Sequence, residues 1–121
     1  MAESAASPRR VTAPAIAQRK GSGSPIVMVT AYDAPSARVV DDAGADVILV
    51  GDSVANVVLG YDDTLQVTID DMAHHVAAVA RTKPRALVVG DLPWMSYHVS
   101  IPDSVVNAAR LVRGGASAVG R

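Results

Sequence analysis

Acidic side chains stand where the predicted strands of this sequence end. Asp33 follows the first apolar run, Asp52 and Ser53 follow the second, and Asp91 follows the third. The carboxyl ends of parallel strands gather on one face of an α/β fold, and paired strands lie about 4.8 Å apart. If the second and third strands pair, Asp52 and Asp91 project to nearly the same point. Two carboxylates that close favour a proton or a hard cation such as Mg²⁺, which leaves positions open for substrate.

The spacing of these residues alone does not decide between chemistry and structure. Aspartates after strands also cap turns or the next helix, and Asp33, just before a predicted helix, needs only such a role. Ser53 could donate a hydrogen bond to an oxyanion, but no partnered histidine marks it as a nucleophile. His74 and His75 are adjacent and cannot form the i, i+4 pair that binds zinc, so we expect one to face the sheet and the other solvent.

The loop after the third strand carries Trp94, Met95, Tyr97 and His98. The first three could wall a pocket above Asp91 or pack on the rim of the fold, and nothing in the sequence distinguishes His98. The sequence contains no Walker loop, no Gly-x-Gly-x-x-Gly fingerprint and no cluster of zinc ligands. These absences exclude the common nucleotide and zinc enzymes.

Alternating strands and helices are predicted to position these residues in a parallel α/β sheet. The apolar runs are continuous instead of alternating, as expected for strands covered on both faces. The 14 residues that end at Val67 form a long connection, and loops of that size are usually functional. Strands are predicted at residues 26–30, 46–50, 86–89 and 116–119, and helices at 34–43, 68–82 (capped by Thr68) and from Ser100 or Asp103 to 113.

Composition divides the chain into a flexible basic leader, residues 1–24, and a body, residues 25–121. The leader carries four basic residues and one acidic residue, while the whole chain has a net charge of -1. The leader's charges are scattered and lack interleaved aromatics, so we expect no nucleic-acid binding. The absence of cysteine excludes disulfides. No apolar run approaches the ~20 residues of a membrane span, so we expect a cytoplasmic protein with no membrane contact.

Four motifs, in order, resemble those of the ketopantoate hydroxymethyltransferase family. They are VTAYD at 29–33, VGDS at 50–53, GYDDT at 60–64 and DLPWMSY at 91–97. The resemblance implies a (βα)₈ TIM barrel of which this chain supplies the N-terminal part, about three βα units and the start of a fourth strand. It further implies a homo-oligomeric, Mg²⁺-dependent transferase of pantothenate and coenzyme A biosynthesis. Such enzymes transfer a hydroxymethyl group from 5,10-methylenetetrahydrofolate to 3-methyl-2-oxobutanoate, giving ketopantoate.

The same resemblance implies roles for three residues. Asp52 and Asp91 would be the Mg²⁺ ligands, and Asp52, Ser53 and Asp91 would bind the keto acid. A metal chelated by the keto acid would acidify the neighbouring C–H and stabilise the enolate that attacks the folate-borne carbon. The chain departs from the family after Val119, where a Val-Lys-(apolar)-Glu-Gly-Gly motif would continue. The motif's lysine and glutamate and the general base would all lie beyond Arg121.

The residue pattern leaves two other functions possible. An incomplete barrel leaves an unpaired edge and exposed apolar side chains, so we expect a truncated chain that is unstable and inactive alone. It could instead be a non-catalytic half-barrel that binds a full-length subunit through that edge. A phosphoenolpyruvate mutase or isocitrate lyase-like Mg²⁺ enzyme would share the strand-end acids, although the motifs at 60–64 and 91–97 argue against it.

Overall fold

A computed structural model describes residues 9–121, which form one parallel sheet with helices between its strands. The four strands pair in the order β1, β2, β3, β4. This confirms the parallel α/β class. In chain order the elements are α1 (Ala13–Arg19), β1 (Met28–Thr30), α2 (Ala34–Asp42), β2 (Val47–Val50), α3 (Val54–Val57), α4 (Ile69–Ala80), β3 (Leu87–Asp91), α5 (Ile101–Gly114) and β4 (Ala118–Gly120).

The central strands β2 and β3 form the core because their apolar residues are covered by neighbouring elements. In their parallel register Ile48 lies opposite Val88, and Val50 lies opposite Gly90. Helices α4 and α5 approach β3 closely at Gly90: a Cβ there would lie 2.8 Å from Val76 Cγ2 and 3.2 Å from Leu111 Cδ1. A residue without a side chain therefore lets both helices pack against the strand that ends in Asp91.

Side-chain caps fix where the helices begin, as the sequence predicts. Thr68 Oγ1 accepts from the Asp71 N–H at 3.1 Å, and Asp71 Oδ2 accepts from the Thr68 N–H at 3.0 Å, so α4 starts with a capping box. Of the two candidates for α5, Ser100 is the N-cap, and its Oγ accepts from the Asp103 N–H at 3.2 Å. These caps place the loops before α4 and α5 at the carboxyl ends of the strands.

Several boundaries differ from the sequence prediction; β1, for example, begins at Met28 instead of residue 26. The long connection after β2 contains a short helix, α3, because Val54 and Ala55 are fully buried when the chain turns back. Strand β3 extends to Asp91, which pairs with Gly120 of β4. Strand β4 accordingly begins later than predicted, at Ala118.

The described part of the leader contacts the body at the amino ends of the strands. The Val11 N–H donates to the Arg85 carbonyl at 2.7 Å, and Arg19 forms a 2.7 Å ion pair with Asp46. Residues 1–8 of the predicted basic leader lie outside the described residues, and the division into leader and body stays a prediction.

Apolar side chains remain exposed on both flanks of the sheet. All three residues of β1 are exposed, and on the helices Val39 and Ile101 are 69% and 81% accessible. Each apolar side chain of this size forfeits about 1.5–3 kcal/mol when it stays in water. The four-stranded unit therefore presents surfaces suited to further packing. No helix among residues 9–121 combines the length and apolar character that crossing a membrane requires.

Candidate metal and substrate site

Asp52 and Asp91 lie side by side at the carboxyl edge of the sheet. Asp52 comes two residues after β2, and Asp91 is the last residue of β3. Because Val50 pairs with Gly90, strands β2 and β3 end at the same level of the sheet. The Asp52 N–H donates to Asp91 Oδ2 at 3.2 Å. The predicted convergence of these residues is therefore present, whereas their roles as ligands stay predictions.

The Asp91 carboxylate lies between two glycines. A Cβ added to Gly51 would lie 3.4 Å from Asp91 Oδ2, and one added to Gly120 would lie 2.8 Å from Asp91 Oδ1. The ends of β2 and β4 thus approach this carboxylate from both sides. The close fit partly removes Asp91 from solvent.

The surroundings of Asp91 favour a proton or a cation. Burial raises the pKa of the Asp91 carboxyl above its ordinary value; the hydrogen bond from the Asp52 N–H lowers that pKa, and the negative charge of Asp52 raises it further. A desolvated carboxyl beside a second acid is the arrangement that a bound cation stabilises.

These two carboxylates suit a hard cation in kind and number. Within residues 9–121 no three His, Cys, Asp or Glu side chains come together as a closed metal site. Mg²⁺ is usually bound through one or two carboxylates, with water and substrate oxygens as its other ligands. Asp52 and Asp91 therefore fit Mg²⁺ better than Zn²⁺, which prefers a set of nitrogen and sulfur ligands.

Ser53 is exposed beside this pair, and its hydroxyl is engaged with Tyr32. Ser53 Oγ and Tyr32 Oη are 2.6 Å apart, so one hydroxyl donates to the other. Tyr32 belongs to the VTAYD motif at 29–33, just after the first apolar run, and the sequence alone assigns it no role. Its position among the strand ends was the signal, but only folding shows that its ring reaches from β1 to the loop after β2.

His75 links helix α4 to the same edge of the sheet. Its Nδ1 lies 2.8 Å from the Tyr32 carbonyl oxygen, which can only accept, so Nδ1 carries the proton. His75 is partly buried, whereas the neighbouring His74 is exposed, as expected for adjacent residues of a helix on the sheet. His75 therefore holds the backbone of Tyr32 and forms no hydrogen bond with Asp52 or Asp91.

Asp33 has the structural role expected from its position. Its Oδ1 accepts from the Ser36 N–H at 2.9 Å and caps α2. The hydrogen bond from the Ser36 hydroxyl, followed by that from the Ser36 N–H, lowers the pKa of Asp33. The Asp33 carboxylate thus serves as the N-cap of α2.

The loop after β3 is held in a constrained conformation. Met95 has φ +69°, in the left-handed region that costs a non-glycine residue about 1–3 kcal/mol. The Met95 N–H donates to His98 Nδ1 at 3.0 Å, and the Ser96 hydroxyl donates to the Pro93 carbonyl at 2.6 Å. Asn107 of α5 donates to the Ser96 carbonyl at 2.8 Å. These bonds hold a backbone conformation that no motif of the sequence predicts.

An open cleft of about 380 Å³ separates this loop from the segment that leads into α4. Trp94 and Met95 form one wall, and Leu65 and Gln66 contribute to the other. Tyr97, the third aromatic or apolar residue considered for a pocket wall, instead packs against the buried core. Of the two alternatives left open by the sequence, lining a pocket holds for Trp94 and Met95, and packing on the fold holds for Tyr97.

Comparison with known sequences points to one family. The family model described as ketopantoate hydroxymethyltransferase matches residues 10–120. Curated relatives named 3-methyl-2-oxobutanoate hydroxymethyltransferase include those of Ignicoccus hospitalis (58% identical over 111 residues) and Moorella thermoacetica (57% over 111 residues). The matches cover 92% and 91% of this chain but 42% and 41% of the relatives. The chain therefore spans about two fifths of the relatives' length.

Comparison with solved structures supports the fold. A 2,3-dimethylmalate lyase, described as a member of the PEP mutase/isocitrate lyase superfamily, superposes with a TM-score of 0.66 at 23% identity, covering 90% of this chain and 39% of that one. The phosphoenolpyruvate phosphomutase of Streptomyces platensis gives a TM-score of 0.66 at 20% identity, covering 85% and 36%. The sheet is thus the N-terminal part of a TIM-barrel fold, as the motifs implied.

Proposed function

The chain belongs to the ketopantoate hydroxymethyltransferase family, and on that premise we propose that it contributes the first part of an active site for hydroxymethyl transfer. The acceptor is 3-methyl-2-oxobutanoate, the one-carbon donor is 5,10-methylenetetrahydrofolate, and the product is ketopantoate, for pantothenate and coenzyme A biosynthesis. The relatives' shared name supports the transferase and the acceptor. The cytoplasmic location expected from the sequence stays a prediction.

The observation that carries the proposal is the contact between Asp52 and Asp91 at the carboxyl edge of the sheet. These two residues would hold Mg²⁺, which when bound supplies Lewis-acid polarisation of a keto oxygen. Asp91 contributes a carboxylate that burial has already partly desolvated, so its interaction with a cation is stronger than in water.

Ser53 is proposed to orient the keto acid. Its hydroxyl lies beside Asp52 and is held by Tyr32 at 2.6 Å, so it can present a donor to a substrate oxygen while Tyr32 fixes its direction. A donor held in place before substrate arrives loses little entropy when it binds. The general base is proposed to lie in the part of the relatives that this chain does not match, so none of its residues is assigned that role.

The test is direct. Purified protein is supplied with the keto acid, methylenetetrahydrofolate and Mg²⁺, and ketopantoate is measured by mass spectrometry. Binding of Mg²⁺ and of the keto acid is measured separately by calorimetry, because binding to Asp52 and Asp91 does not require a general base. Asp91→Asn should weaken Mg²⁺ binding at least tenfold. Asp42→Asn, an exposed acid at the end of α2, is the matched control and should leave it unchanged.

Two results would contradict the proposal. Equal Mg²⁺ affinity in Asp91→Asn and Asp42→Asn would show that Asp91 does not bind the metal. Cleavage of a substituted malate or of oxaloacetate, without binding of 3-methyl-2-oxobutanoate, would favour the chemistry named for the structural relatives over that of the sequence relatives.

A non-catalytic role through the open edge is the second candidate. It is favoured by the position of β1 at the end of the sheet, where its three residues are exposed and its outer edge has no partner strand among the described residues. Co-purification with an intact subunit, without ketopantoate formation, would support it. For the catalytic form we propose a homo-oligomer that binds only its small-molecule substrates, with no nucleic-acid or membrane partner; light scattering would test the assembly.

A further inference from the structure

His98 fastens the turn in the loop after β3. The Met95 N–H donates to His98 Nδ1 at 3.0 Å and so joins two positions three residues apart. A backbone N–H can only donate, so Nδ1 must offer a lone pair and the neutral ring must carry its proton on Nε2. This hydrogen bond therefore forms only while His98 is uncharged.

The turn that this bond fastens is strained. Met95 has φ +69°, a left-handed conformation that only glycine adopts without cost. The Ser96 hydroxyl donates to the Pro93 carbonyl, and Asn107 donates to the Ser96 carbonyl. Both of these bonds engage carbonyl groups. Within residues 9–121 the Met95 N–H has no partner other than His98, so the strained residue depends on that one acceptor.

Protonation of His98 removes the acceptor. The second proton of an imidazolium binds Nδ1, which then directs a donor at the Met95 N–H, and two donors cannot bond to each other. The ring stacks on Tyr97, with the two ring centroids 4.1 Å apart and the planes inclined by 29°. An aromatic face attracts a cation, so Tyr97 can hold the charged ring while the Met95 N–H loses its partner.

The charged groups of the neighbouring elements do not pair with His98. Besides Tyr97, the ionisable side chains on β3, at the start of α4 and on the first ten residues of α5 are those of Asp91, Asp70, Asp71, His74, His75, Asp103 and Arg110. Arg110 pairs with Asp70, and no acid among residues 9–121 forms an ion pair with His98. The bond to Met95 is therefore the polar contact that protonation of His98 changes.

We propose that His98 is a pH-sensitive latch for the wall of the cleft between this loop and the segment that leads into α4. Trp94 and Met95 form that wall. Neutral His98 keeps Met95 in its left-handed conformation and so keeps both side chains in place. Protonated His98 releases Met95, whose backbone then relaxes and moves Trp94 with it. The latch goes beyond the proposed function, because it requires neither a metal nor a substrate.

The test follows the Met95 amide and the Trp94 emission of the whole chain between about pH 8 and 5, the range in which histidine changes charge. Solvent-exchange NMR on isotope-labelled protein gives the protection factor of the Met95 amide, which excludes the intrinsic pH dependence of exchange. This factor should fall about 2- to 13-fold, the equivalent of one hydrogen bond. Trp94 is the single tryptophan of the sequence, and its emission should change over the same range. Circular dichroism should stay constant.

Three variants separate the latch from other causes. His98→Asn places an acceptor near the position of Nδ1 that does not titrate, so Met95 should stay protected throughout. His98→Ala should leave Met95 unprotected at every pH in the range. His74→Ala removes an exposed histidine of α4 and is the matched control, so it should respond to pH as the unaltered protein does.

Four results would overturn the inference. Equal protection of Met95 at both ends of the range in the unaltered protein would show that the charge of His98 does not govern the bond. A pH response that persists in His98→Ala would assign it to another group. A change in Trp94 emission at constant Met95 protection would mean that the imidazolium quenches the indole without moving the loop. A parallel loss of circular dichroism would mean that the whole fold responds.

Discussion

Replacing His75 by leucine should destabilise the protein more than the same change at His74. His75 Nδ1 donates to the Tyr32 carbonyl at 2.8 Å, so leucine removes that bond and leaves the carbonyl without its partner. A net hydrogen bond contributes about 0.5–1.5 kcal/mol, and an unsatisfied buried group costs about 1–3 kcal/mol. Because the site is only partly buried, water can replace some of the loss. We expect the free energy of unfolding to fall by about 1–2 kcal/mol.

Two further variants make the comparison specific. His75→Asn retains an N–H donor close to the position of Nδ1 and should recover most of the loss. His74→Leu changes an exposed neighbour on the same helix and should stay within about 0.5 kcal/mol of the unaltered protein. Urea unfolding followed by circular dichroism measures all three. The expected shift of the midpoint for His75→Leu is roughly 0.5–1 M.

The result also bears on the site, because His75 fixes the backbone of the residue whose hydroxyl holds Ser53. His75→Leu should therefore weaken keto-acid binding, and His75→Asn should restore it. If His75→Leu and His74→Leu lose the same stability and bind the keto acid equally, the link from α4 through Tyr32 to Ser53 has no energetic importance.

Further outcomes test other contacts. Ser53→Ala should raise the Kd for the keto acid about 2- to 13-fold, the equivalent of one hydrogen bond, while Mg²⁺ binding by calorimetry stays the same; a parallel loss of Mg²⁺ binding would contradict a purely orienting role. Thr68→Ala should lower the free energy of unfolding by about 0.5–2 kcal/mol through loss of the α4 cap, measured in urea; no change would mean that the cap is dispensable. The pKa of Asp46 is lowered first by the hydrogen bond from the Val27 N–H and then by Arg19. The ionised Asp46 therefore stabilises the folded state above pH 3.8, and this stabilisation is lost as the pH falls through the lower pKa of the folded protein. Acid unfolding should accordingly be less steep below pH 4 in Asp46→Asn, and an identical profile would refute this.

The sequence by itself determined the order of the elements and the residues at their ends. The continuous apolar runs of β2 and β3 predict buried parallel strands, and Thr68 caps its helix through contacts within four residues. The same local logic identified Asp33 as a cap. It also predicted that Asp52 and Asp91 lie close together if the second and third strands pair, and the two strands do pair.

Only the tertiary structure decided contacts between residues distant in sequence. Which of the two adjacent histidines meets Tyr32 depends on the rotation of α4 on the sheet, which the sequence period fixes too loosely to choose between neighbours. The left-handed Met95 depends on His98 and on Asn107 of another helix, so no turn motif reveals it. The partial burial of Asp91 arises only when β2 and β4 close on it from both sides, because desolvation is a property of the packed assembly and not of any one segment.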